Sequence, residues 1–202
     1  MSENGQVEGE WTTLINPGRD VGPTRLHGIG AKDVLDAPCF ADIAPHVLRS
    51  VTGRTIVAHN SRFDTTFLAA EFIRAGVPLG MLPLPSLCTM QWAPRFLSAQ
   101  SRRRVDCCAA AGIQLENAHS ALGDARATAQ LLSVYLMCCG TPIPWQQVSH
   151  ECSCYAWPTY SGALPTVQMT RRSSSQERRP DAWLDRIVSR MPRVGDAAAD
   201  SY

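Results

Sequence analysis

No stretch of this chain is apolar over the length that a membrane crossing needs, and no export signal precedes the first polar residues. A membrane or secreted protein is therefore not expected. Charge of one sign is not in excess either. Nineteen Lys and Arg stand against eighteen Asp and Glu, a formal net charge of +1, so any grip on a phosphate backbone has to be local. The sequence also lacks a Cys-x2-Cys pair. Cys138, Cys139, His150, Cys152 and Cys154 do not have the spacing of a closed tetrahedral zinc site. Eight cysteines without an export signal are expected to be reduced thiols, mostly buried, in a cytoplasm.

What is present suffices for one domain and a tail. Hydrophobic residues make up 45% of the 202 positions, enough for a packed core. Strand-like and helix-like runs alternate through residues 1–140, which argues for an α/β domain. Trp11-Thr12-Thr13-Leu14-Ile15 alternates like a strand and ends in the turn Asn16-Pro17-Gly18. A helix is expected over Ala41–Arg49 with Pro45 as a blemish. A buried strand is expected at Thr55–Ala58, another strand at Ser86–Met90, and helical turns over Trp92–Leu97 and Cys107–Ala111. Residues 141–202 differ in character: a Pro- and Trp-containing irregular segment, a basic linker over Arg171–Pro180, and one amphipathic helix opened by Asp181. Arg102-Arg103-Arg104 reads as a solvated face rather than a phosphate track.

Two stretches carry chemistry. In His119-Ser120-Ala121-Leu122-Gly123-Asp124 a His in a polar loop precedes a helix, and a carboxylate lies one turn inside it. A loop His can move while a helical Asp is held. That suits a proton acceptor beside a fixed metal ligand, although the same pattern serves for plain capping. His59-Asn60-Ser61-Arg62-Phe63-Asp64 follows the strand at Thr55 and opens a second helix. It places another carboxylate one turn in, beyond the carboxyl end of a strand, where α/β sheets build their sites. Aspartates are suitable ligands for Mg²⁺ or Mn²⁺.

Taken together, His59-Asn60-x-x-Phe63-Asp64 and His119-x-Ala121-x-x-Asp124 resemble the second and third motifs of the DEDDh 3'–5' exonucleases. That family includes proofreading subunits of bacterial DNA polymerase III and ribonuclease T. Arg25-Leu26-His27-Gly28-Ile29 is similar to the family's His-Gly-Ile turn. The resemblance implies a ribonuclease H-like sheet and hydrolysis of phosphodiesters at single-stranded DNA or RNA 3' ends with two Mg²⁺ or Mn²⁺ ions. A DNA polymerase subunit is an implied partner. By motif, Asp124 and Asp64 would be metal ligands and His119 would take the proton from water. Asn60 and Phe63 would shape the nucleotide pocket, and His27 and Ile29 would meet the terminal base. His59 is read as structural.

The family's first motif, Asp-x-Glu, has no counterpart here, because no Asp in the chain is followed two positions later by Glu. Glu8-Gly9-Glu10 is the nearest match. The fold is therefore expected to be N-terminally incomplete, with an open edge beside Ile56 and Val57 unless Met1–Ile15 moves into the gap. Activity from the chain as it stands is expected to be negligible. Two rivals to an active exonuclease stay open: a non-catalytic module that binds nucleic acid or a polymerase, and a truncated product.

Overall fold

A computed structural model describes residues 1–2, 5–115 and 120–159 of the chain. His119 and the expected basic linker and helix after Arg171 lie outside the described residues. The sheet is small and parallel. Strand β1 (Ile56–Ala58) pairs in register with β2 (Ser86–Cys88). Each strand runs directly into a helix, β1 into α3 (Ser61–Arg74) and β2 into α4 (Thr89–Phe96). The His59 carbonyl ties the two strand ends together, accepting from the Met90 N–H at 3.2 Å and the Cys88 thiol at 3.3 Å. Beyond those ends lies the crevice in which α/β folds place ligands.

Two apolar clusters hold the layers together. The larger joins Cys107 and Cys108 of α5 (Arg104–Ala110) to Leu131, Val134 and Tyr135 of α6 (Ala121–Cys138), all essentially inaccessible to water. Burying side chains of this size contributes roughly 1.5–3 kcal/mol each. Phe96 stacks on Tyr135 with ring centroids 4.9 Å apart, and the Tyr135 hydroxyl donates to the Thr89 carbonyl at 3.2 Å. The smaller cluster packs Ala44 and Leu48 of α2 (Phe40–Val51) on Phe72 of α3. Pro45 is buried inside α2, which continues past it. Gly112, with φ 68°, follows α5 as the expected left-handed stop.

Several expectations are corrected. Trp11–Ile15 forms no strand. Among the described residues it pairs with no strand, and Trp11 packs its ring on His46 at 4.7 Å instead. The strand at Ser86 ends at Cys88, because Thr89 and Met90 already belong to α4, which carries Pro94 within it. The segment after Gly140 is not wholly irregular. It contains α7 (Gln146–Cys154), seated against β2, and Trp145 just before it is buried edge-on against Trp92 and Phe96.

No described strand pairs with the far edge of β1. Its three residues are nonetheless half-buried, since α3 and α6 both pack on them. The N-terminal segment helps without becoming a strand. Met1 joins Val57 at the margin of the larger cluster, and the Gly5 carbonyl accepts from the Ser133 hydroxyl of α6 at 3.0 Å. Gly5 has φ 80°, and a Cβ there would meet Ser133 Oγ at 3.2 Å, so both conformation and space favour glycine. Among the described residues no helix is long and apolar enough to cross a membrane.

Candidate active site

Three elements meet beyond the carboxyl ends of the strands. Helix α3 carries Asp64 in its first turn, α6 carries Asp124 in its first turn, and α5 brings Arg104 as its first residue. The start of α6 is defined by Ser120, whose side chain accepts from the Gly123 N–H at 3.1 Å. That cap determines where Asp124 falls.

Arg104 is the group the two aspartates share. Its Nη2 lies 2.5 Å from Asp124 Oδ1, and the two side chains are 30% and 33% exposed. The same guanidinium acts electrostatically on Asp64. Asp64 is open to solvent on one side, yet partial burial pushes its carboxyl above the usual carboxylate range, with Arg104 and His59 opposing the shift. As a charge run, residues 102–104 suggest a solvated face, yet Arg104 is turned to Asp124. Its signal was position: it opens a helix whose next turn holds the buried Cys107 and Cys108.

His59 is structural, as expected. Its Nε2–H donates to the Arg102 carbonyl at 2.9 Å, which leaves Nδ1 to accept from the Thr89 hydroxyl at 3.0 Å. Burial holds its pKa below the ordinary 6.5, against the Arg102 hydrogen bond, and so favours the neutral ring. Through this imidazole the Arg102–Arg104 loop is fastened to the strand ends. Cys108 borders the same region as a protonated thiol, its pKa pushed up to about 11 by burial.

The remaining expected residues divide. Asn60 precedes α3, and its carbonyl accepts from the Phe63 and Asp64 N–H groups, with the side chain exposed. Phe63 is 58% exposed and leans on Phe67, 52% exposed, with ring centroids 4.7 Å apart. Both face solvent beside Asp64. Among the described residues, α1 (Thr24–His27) has no sizeable packing on α3 or α6. His27 instead closes its own turn. Nδ1 accepts from the Ile29 N–H at 3.1 Å and Nε2–H donates to the Val21 carbonyl at 3.1 Å, with Gly28 at φ 71°. Glu8 and Glu10 are each engaged by an arginine. Glu8 pairs with Arg54 at 2.7 Å, and Glu10 takes a two-pronged hydrogen bond from Arg126 at 2.7 and 2.6 Å.

Carboxylates are suitable donors for a hard divalent ion. The number and surroundings here are not suited to a pair of them. Among the described residues no three His, Cys, Asp or Glu side chains come together as a metal-binding group, and the third charged group between the aspartates is a cation.

A parallel sheet flanked by helices, with helix-borne aspartates at its strand ends, defines the class, and comparison with known proteins gives the family. A family model described as Exonuclease matches residues 1–132, so the chain belongs to this exonuclease family, which has the ribonuclease H-like fold and typically uses divalent metal ions. It is similar to a Mycobacterium tuberculosis protein provisionally named a bifunctional exonuclease/endonuclease, 37% identical over 134 residues, which are 63% of this chain and 20% of that protein. It is also similar to a DNA polymerase III subunit epsilon-like protein of Rhodobacter capsulatus, 34% identical over 131 residues, 62% of this chain and 18% of the other. A PolC-type DNA polymerase III of Caldanaerobacter subterraneus is 26% identical over 132 residues, 64% of this chain and 9% of that polymerase. The chain thus spans a fifth or less of the length of each of these relatives.

Proposed function

We propose that this chain acts on the 3' ends of single-stranded nucleic acid as a 3'–5' exonuclease-type domain. The observation that carries the reading is the pair of aspartates, each one turn into a helix at the same end of the sheet and sharing one guanidinium. Asp64 and Asp124 are the cation-facing carboxylates, with Mg²⁺ or Mn²⁺ as the matching ions. His119 is the acceptor for a proton of the attacking water. Phe63 offers an exposed ring on which a base can stack, Asn60 an amide beside it, and His27 with Ile29 a turn for the terminal nucleotide. The setting is the cytoplasm, where the eight free thiols stay reduced, and a DNA polymerase subunit is a fitting partner.

A second reading keeps the fold and the substrate but not the cleavage. The Arg104–Asp124 pair favours it, since a carboxylate engaged by a guanidinium is not available to a metal ion. Fluorescence anisotropy with a labelled single-stranded oligonucleotide, run beside a trimming assay in Mn²⁺, tests both. Binding weakened by Phe63→Ala by about 1–3 kcal/mol is expected, with trimming slower than a complete metal site would give by about 10²–10³ or more. No binding to single strands would overturn the reading. Fast trimming abolished by Asp124→Ala would exclude the non-catalytic alternative.

A further inference from the structure

We propose that Arg104 is the built-in counter-cation of the acidic crevice and competes with divalent metal ions for Asp124. The proposal rests on reading Asp64 and Asp124 as cation-facing groups, but its consequence is read in ion binding rather than in cleavage.

The geometry has three parts. Arg104 Nη2 sits 2.5 Å from Asp124 Oδ1, close enough to exclude another cation from that oxygen. Both side chains are about two-thirds covered, so the pair is less screened than one at the open surface. The third is one of charge, since the field of Arg104 also reaches Asp64 and opposes the upward push of burial there.

The backbone under Arg104 is also held in place. The Arg102 carbonyl accepts from His59, the Arg103 N–H donates to Ser101 Oγ at 3.1 Å, and that hydroxyl donates to Asp106. One turn further on, Cys107 and Cys108 are anchored in the core. These ties hold the backbone under Arg104, so displacement of its charge falls to the side chain. A divalent ion arriving at Asp124 meets a positive group already seated there. It must push the guanidinium into solvent or remain weakly bound. In the metal-free chain, the guanidinium keeps Asp124 neutralised. Ion occupancy and the Arg104–Asp124 pair are thus alternative states of one crevice.

The test uses the full chain and Mn²⁺ alone, with binding followed by electron paramagnetic resonance of the free ion. Arg104→Met is expected to bind Mn²⁺ about five- to tenfold more tightly than the unaltered chain. The gain should disappear when Asp124→Asn is added. Arg104→Lys, which keeps the charge but loses the flat fork, should fall between. In the unaltered chain, titration with Mg²⁺ should move the Arg104 Nε–H resonance toward that of a solvated guanidinium, a readout that needs no variant to fold. Equal or weaker Mn²⁺ affinity in Arg104→Met, or an Arg104 resonance unmoved by saturating Mg²⁺, overturns the proposal. Either result could coincide with intact oligonucleotide binding, so this failure is separable from failure of the functional reading.

Discussion

At the scale of single residues, the chain uses arginines to hold carboxylates. Arg54 holds Glu8, Arg126 holds Glu10 and Arg104 holds Asp124. Glu10 shows how such a tie depends on pH. The hydrogen bond from Arg126 keeps its carboxyl below the ordinary 4.5, against a smaller opposing effect of burial. A lowered folded value means that the stabilisation is fully present above pH 4.5 and is lost as pH falls through the folded pKa. Because the pair is more than a third exposed, its worth is discounted to about 0–1 kcal/mol. Glu10→Gln is therefore expected to lower the melting temperature slightly at neutral pH and to match the unaltered chain in acid. A difference of the same size at pH 2 and pH 7 would show that shape rather than charge is what Glu10 supplies.

At the scale of elements, the legible parts were those whose chemistry is local. The β-branched run before His59 gave β1, and helix-period apolar residues from Leu131 to Leu136 gave α6. Asp64 and Asp124 followed from those two elements. Trp11–Ile15 misled because alternation alone does not make a strand; the segment must also reach a sheet edge, and among the described residues it pairs with none. Helix α7 was hidden because its mixed polar sequence has little periodic signal, and its position comes from Trp145 docking between Trp92 and Phe96. Arg104 was hidden for a related reason, since its partner lies twenty residues away on another helix. The cap of α6 offers a clean perturbation. Ser120→Ala removes the acceptor of the Gly123 N–H and should cost about 0.5–2 kcal/mol in denaturant unfolding. An unchanged midpoint would mean that water or another group caps α6 equally well.

At the scale of the whole molecule, the two described strands contribute little by themselves, and the helices do most of the covering. The N-terminal segment works as a strap across this assembly. It brings Met1 to the margin of the larger cluster, Gly5 to Ser133, and Glu8 and Glu10 to their arginines. Removing residues 1–10 should lower the unfolding midpoint, and it should raise binding of a hydrophobic dye as Val57 and its neighbours lose cover. An unaltered midpoint with no added dye fluorescence would reduce the strap to surface decoration.

The indoles of Trp92 and Trp145 lie 5.5 Å apart with their planes at 69°. Two identical chromophores at that distance and inclination share their strong electronic excitations, so the far-ultraviolet circular dichroism of the folded chain should carry a split band of opposite lobes. One indole comes from α4 and the other from the threshold of α7. The band therefore works as an optical gauge of whether α7 is seated, legible without any label and lost from Trp145→Phe.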